Sequence, residues 1–195
     1  MSMKINFKEI NTKSNYISLL RLFLAVPLYF LLDHINDDFS YRIIIFGLMI
    51  FGLLTDLADG WIARKYNEIT EFGKIIDPLA DKIAIGVVVI KLYLIGEIPE
   101  FYFWVIILRD IIIFIGGIII SKIIGKVLPS NLLGKITVLT IGFFLIALTL
   151  NASEAAPGLY SFLYNLSLFM SFISVIGYGI RGYESIKWKK RNEAV

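Results

Sequence analysis

Six stretches of this chain are so continuously apolar that a soluble core of this size could not hide them. They cover residues 16–32, 41–58, 76–95, 101–121, 132–150 and 159–183, each near the ~20 apolar residues that a helix needs to cross a hydrocarbon layer about 30 Å thick. Inside hydrocarbon every backbone amide must find its partner within its own segment, so each run is expected to be an α-helix. The composition agrees: 57% of the 195 residues are hydrophobic and 18% charged, for a mean hydropathy of +0.77. The expected fold is an all-α integral membrane protein, a bundle of six transmembrane helices.

Charge placement orients the bundle. Lys4, Lys8 and Lys13, then Arg64, Lys65 and Lys74, then Lys122 and Lys126, and finally Lys187, Lys189, Lys190 and Arg191 fall on connections of one side. Asp33, Asp37, Asp38 and Arg42, then Glu97 and Glu100, and Glu154 fall on the other. The positive-inside rule makes the first side cytoplasmic, termini included. The first run follows a polar leader and lacks a small-x-small cleavage pattern, so it is expected to be retained. No repeat or composition shift divides the chain, and 1–195 reads as one membrane domain. Residues 1–15 form a cytoplasmic leader or an interfacial helix, and 184–195 a basic cytoplasmic tail. With no cysteine, disulfides, thiolate metal sites and a cysteine nucleophile are excluded.

Between the second and third runs the chain reads Thr55-Asp-Leu-Ala-Asp-Gly-Trp-Ile-Ala-Arg64, then, after eight residues, Gly73-Lys-Ile-Ile-Asp77-Pro-Leu-Ala-Asp81. Asp56 and Asp59 are three apart, Asp77 and Asp81 four apart, so each pair shares a face if its segment is helical. Four carboxylates beside apolar runs would repel one another unless cations neutralised them. Oxygen donors without His or Cys select hard divalent ions, Mg²⁺ or Mn²⁺. Two such ions about 4 Å apart can clamp a diphosphate. Gly60, Ala63 and Gly73 leave room for a ligand or a neighbouring helix, and Arg64 offers a planar fork to phosphate. Pro78 is expected near the start of a helix, where its missing amide hydrogen costs little.

This pattern, D-x2-D-G-x2-A-R-x8-G-x3-D-x3-D, resembles the signature of the CDP-alcohol phosphatidyltransferase family at all eight fixed positions. Chance would produce it at roughly one starting point in a billion, so coincidence is not a competing explanation. The resemblance implies a metal-dependent enzyme of phospholipid biosynthesis that transfers a phosphatidyl group from CDP-diacylglycerol to an alcohol and releases CMP. It implies metal ligation by Asp56, Asp59, Asp77 and Asp81, CDP-lipid binding by Gly60, Ala63, Arg64 and Gly73, and a general base at Asp81. It also implies a polar cavity open to the cytoplasm, and a homodimer.

The acceptor is less constrained. Asn15, Ser18 and Arg21 with Pro27 resemble the opening of phosphatidylglycerophosphate synthases, although Asn15 and Ser18 also suit helix capping. Arg109, Lys135 and Arg181 lie in or beside apolar runs, where a cation needs a partner or a polar cavity. They would suit the phosphate of glycerol 3-phosphate. Alternatively Arg109 and Asp110 form structural pairs and Arg181 snorkels to the interface. Arg-Asp at 109–110, where phosphatidylglycerophosphate synthases often carry Arg-Glu, keeps open a cardiolipin synthase that uses phosphatidylglycerol; inositol phosphate and serine are further alternatives. A small cation transporter is a remote reading, because the acids crowd one end of the runs instead of recurring across them. His34, in the acidic 1–2 connection, is not expected to be catalytic, and no basic pattern suggests nucleic acid.

Overall fold

The structure, a computed structural model, describes residues 13–66, 73–125 and 132–193, with side chains over 19–55, 82–125 and 132–191 except Arg21 and Lys190. Helices account for nearly all of it: α1 (Lys13–Leu31), a 3-10 turn (Leu32–His34), α2 (Phe39–Tyr66), α3 (Gly73–Leu94), α4 (Glu100–Ile124), α5 (Leu132–Thr149), the single turn α6 (Ala152–Ala155) and α7 (Pro157–Glu193). No strand occurs among the described residues. Each long helix covers one predicted apolar run to within a residue, but the helix ends differ from those of the runs. α2 continues eight residues past position 58 and α7 ten past 183, because helical backbone bonding persists where side chains turn polar.

Local chemistry sets the boundaries. Asp38 caps α2, its carboxylate accepting the Ser40 amide at 3.0 Å. α4 follows Pro99, whose backbone is extended, and ends at Gly125 with φ +77°, the left-handed geometry that glycine adopts without a Cβ clash. Asn151, also left-handed at φ 57°, closes α5.

The chain divides into two compact units, Met1–Glu97 and Ile98–Val195. In the first, α1 packs on both α2 and α3 through Ala25, Leu28, Leu32, Ile45, Val88 and Leu92, all buried. In the second, α7 packs on both α4 and α5. Tyr102 bonds Ser167 and Arg109 bonds Ser174, both at an offset of 65 residues, so α4 and α7 run parallel and in register. Thr137 bonds the Met170 carbonyl, while Phe144 packs on Tyr160 and Tyr164, so α5 runs antiparallel to α7. Gly117 and Gly182 mark the close approach of α4 and α7: a Cβ there would meet the hydroxyl of Tyr178 and the side chain of Ile120.

Among the described residues, three helical stretches are long and apolar enough to cross a membrane, Glu100–Ile124, Leu132–Thr149 and Pro157–Lys189, with shorter apolar stretches at Leu22–His34 and Phe39–Thr55. Large side chains such as Phe23, Phe30, Phe114, Phe162 and Ile176 are more than half exposed. Such apolar surface needs hydrocarbon around it, as in an integral membrane protein.

Candidate active site

Both halves of the acidic motif stand on unbroken helix, Asp56 and Asp59 on α2 and Asp77 and Asp81 on α3. At 100° per residue the members of each pair are separated by about 60° and about 40° around their axes, so each pair shares a face. Asp56 and Asp59 precede the end of α2 by ten and seven residues, and Asp77 and Asp81 follow the start of α3 by four and eight. At 1.5 Å per residue these are depths of about 15, 10, 6 and 12 Å from the same connection, 67–72. Gly60, Ala63 and Arg64 lie between the first pair and that connection, and Gly73 opens α3 on its far side. The side chains at these eight positions lie outside the described residues, as do those of Asn15, Ser18 and Arg21 and the whole of 1–12. Pro78 is the sixth residue of α3 and not an opening one. Having no amide hydrogen, it frees the Lys74 carbonyl from the helical ladder.

The donor set fits a hard divalent cation on chemical grounds, being carboxylate oxygen throughout. Among the described residues, which do not include these four side chains, no group of three or more His, Asp or Glu comes together to hold a metal.

The opposite end of the first unit carries charges of another kind. Lys91, 6% exposed, bridges to Asp33 at 2.5 Å and lies over the Tyr29 ring at 4.2 Å. Arg42, also buried, donates to Asn36 Oδ1 at 2.6 Å, and Asn36 donates in turn to Glu97 at 2.5 Å. These contacts join the turn after α1 to the ends of α2 and α3. Sequence reasoning passed over Lys91 although it interrupts the third apolar run; that interruption was the available signal. His34 bonds Asp37 at 2.7 Å and stacks on Tyr41 within the same turn, away from the acidic pairs along α2.

The second unit accounts for Arg109. Buried at 7% exposure, it donates from Nε to Ser174 Oγ at 3.1 Å, from Nη1 to the neighbouring Asp110 carboxylate, and from Nη2 to the Gly134 carbonyl at 3.4 Å. It therefore contacts α7 and the first turn of α5, beside Lys135, which is exposed. Arg181 lies seven residues beyond Ser174 on α7, about 10 Å along the axis, and is half-buried. Arg109 is thus engaged by protein groups, with Lys135 next in sequence to one of its acceptors and Arg181 further along α7.

Comparison with known proteins gives a consistent result. The family model described as CDP-alcohol phosphatidyltransferase matches residues 11–176. The CDP-diacylglycerol–glycerol-3-phosphate 3-phosphatidyltransferase of Rickettsia typhi is 37% identical over 101 residues, 51% of this chain and 54% of that protein. The chain thus spans about half the length of the Rickettsia relatives it matches. The protein of the same name from Aquifex aeolicus is 32% identical over 179 residues, covering 88% of this chain and 96% of the relative. That from Bacillus subtilis is 39% identical over 89 residues, 46% of each chain. With a family match that runs through both units and includes both halves of the acidic motif, the chain belongs to the CDP-alcohol phosphatidyltransferase family.

Proposed function

We propose that this protein is a phosphatidylglycerophosphate synthase, transferring the phosphatidyl group of CDP-diacylglycerol to glycerol 3-phosphate with release of CMP. The observation that carries the reading is the placement of Asp56, Asp59, Asp77 and Asp81 on two helices that flank one connection, in a chain whose near-full-length relative from Aquifex aeolicus bears the corresponding name.

Asp56, Asp59, Asp77 and Asp81 would hold two divalent ions, Mg²⁺ or Mn²⁺. When bound, these ions supply positive charge to the diphosphate and to the departing CMP. Gly60, Ala63, Arg64 and Gly73 hold the cytidine diphosphate part, Arg64 through its planar fork. Asp81 takes the proton from the acceptor hydroxyl. That oxygen bonds to the lipid-side phosphorus as the diphosphate P–O bond breaks and CMP leaves with the bonding pair. No covalent intermediate with the protein is required, so positioning and electrostatics supply the rate enhancement.

Arg109, Lys135 and Arg181 are assigned to the phosphate of the acceptor. Lys135 is exposed, and Arg109 could exchange its Asp110 contact for a phosphate oxygen while Ser174 still holds Nε. In the membrane the six long helices are six spans, with both termini and the acidic motif on the cytoplasmic side by the charge bias. Residues 1–195 are read as a single membrane domain, and a homodimer is the expected assembly.

The test is to give the purified full chain CDP-diacylglycerol with glycerol 3-phosphate, phosphatidylglycerol, inositol 1-phosphate or serine in parallel reactions, and to measure CMP. CMP release with glycerol 3-phosphate that requires Mg²⁺ or Mn²⁺ and is abolished in Asp81→Asn supports the proposal. Exclusive use of serine overturns the acceptor, and metal-independent release overturns the metal assignment.

A further inference from the structure

α7 is longer than its membrane run requires. Its 37 residues span about 55 Å, against about 30 Å of hydrocarbon. Near its C-terminus one side of the helix is occupied by α4. The Ile120 side chain crowds Gly182, and Lys189 Nζ donates to the Ile123 carbonyl at 2.8 Å, at the pole of α4 where carbonyls lack helical partners.

The side turned away from α4 changes character along its length. Phe172, Ile176 and Ile180, all more than half exposed, lie within about 80° of one another at 100° per residue. The same sector continues through Tyr183, 68% exposed, and then through Lys187 and Arg191, both exposed. These last three recur every four residues and form one row, about 110° to 190° around the helix from Gly182 and Lys189. The face therefore passes from hydrocarbon-facing side chains to an interfacial tyrosine and then, about 6 and 12 Å further along the axis, to two cations. Glu184 is an exposed acid at the edge of this row, and Lys122 adds an exposed cation on the last turn of α4.

We propose that the Tyr183–Lys187–Arg191 row docks the phosphate headgroup of an anionic bilayer lipid, with the lipid's acyl chains lying along Phe172, Ile176 and Ile180. The proposal rests on the membrane placement given under the proposed function and on neither the acceptor nor the metal assignment. A lipid fits better than a soluble anion because hydrocarbon-facing and cationic positions share one continuous face. Tyrosine marks the level where that change occurs in membrane proteins. Each cation at an anionic surface contributes about a five-fold preference, so loss of Lys187 and Arg191 together is expected to reduce the preference about 25-fold.

The full chain in nanodiscs of phosphatidylcholine tests this. A minority lipid with brominated acyl chains, either phosphatidylserine or phosphatidylcholine, quenches nearby tryptophans, and an Ile180→Trp substitution puts a reporter on the proposed acyl track, where Ile180 is 56% exposed; subtracting the signal of the same protein without that substitution isolates it. Stronger quenching of this reporter by brominated phosphatidylserine is expected with Lys187 and Arg191 wild type, and near-equal quenching in Lys187→Gln/Arg191→Gln. Equal quenching by the two lipids in the wild type overturns the headgroup preference while leaving the membrane placement intact. No quenching by either lipid overturns the placement itself. A second readout is the unfolding midpoint, which should rise with phosphatidylserine content in the wild type and stay flat in the double variant; equal rises in both would count against the proposal.

Discussion

Arg109 Nε and Ser174 Oγ meet at 3.1 Å in the interior of the second unit, and the proton inventory fixes who donates. The Ser174 hydroxyl proton goes back to the Ser171 carbonyl at 2.8 Å, leaving its oxygen as the acceptor for Arg109. Two turns earlier Ser167 repeats the arrangement, donating to the Tyr164 carbonyl at 2.9 Å and accepting from Tyr102 at 2.9 Å. Serines 167, 171 and 174 thus bond backward along α7, and Ser167 and Ser174 present lone pairs to donors on α4. Each rung fixes the parallel register of the two helices.

Ser174→Ala removes the acceptor without removing the buried guanidinium. An unsatisfied buried donor costs about 1–3 kcal/mol, so the unfolding midpoint of the purified protein should fall, whereas Ser174→Thr, which keeps the hydroxyl, should lose much less. Equal losses in the two variants would mean that packing and not the hydrogen bond matters at this position. If Arg109 also serves the acceptor, Ser174→Ala should raise the KM for glycerol 3-phosphate more than that for CDP-diacylglycerol.

The Lys91–Asp33 pair has one buried member and one half-exposed, 8% against 47% by side chain. Removing the carboxylate strands a cation that has little water of its own; removing the cation leaves an acid that water can reach. Asp33→Ala should therefore destabilise more than Lys91→Met, by about 1–3 kcal/mol, below the ~3–5 kcal/mol typical of a fully buried pair because Asp33 is partly solvated. The double variant should recover part of the loss. Thermal unfolding of the three proteins measures this, and the reverse order would show that the Lys91 contact with Tyr29 dominates.

These contacts show what was legible in the sequence and what was not. The six apolar runs are each covered by a helix to within a residue, because hydrocarbon allows the backbone few other choices. Helix ends were harder: hydropathy drops at Asp56 and again after Tyr183, but backbone bonding does not depend on polarity, and α2 and α7 continue to Tyr66 and Glu193. The acidic motif was legible because its spacings of three and four match a helical turn. Arg109 stood out as a charge in need of a partner, yet Ser174 is 65 residues away and nothing local announces it. Small residues in apolar runs permit close helix contacts, and Gly116, Gly117, Gly177 and Gly179 all qualify by sequence. Gly116 and Gly179 face open space, whereas Gly182, unremarked, lies against Ile120; which glycine is approached depends on helix register, which periodicity alone leaves free.

Gly182→Leu tests that register. The Ile120 side chain occupies the space that the new side chain would need, and overpacking of this kind costs about 1–3 kcal/mol. Gly179→Leu, with nothing within 4 Å of its Cβ position, should be tolerated. Comparing the two unfolding midpoints with that of Gly182→Leu/Ile120→Ala, which restores room, separates a steric effect from a change in helix propensity: only a steric effect is rescued.

The acidic pairs lead to a prediction about stability as well as rate. Under the proposed metal assignment, four carboxylates at depths of about 6–15 Å from one connection would raise one another's cost when ionised, and divalent cations would relieve that cost. A ligand that binds the native state alone stabilises it by RT ln(1 + [L]/Kd), about 2.7 kcal/mol at a hundred times Kd. Mg²⁺ or Mn²⁺ should therefore raise the unfolding midpoint of the wild type in the absence of any substrate, and chelator should reverse the rise. Asp56→Asn, Asp59→Asn and Asp77→Asn should each flatten the metal dependence while making the metal-free protein no less stable, because each removes a repulsive charge. A metal response that survives all three substitutions would place the cations elsewhere and separate this acidic motif from the chemistry assigned to it.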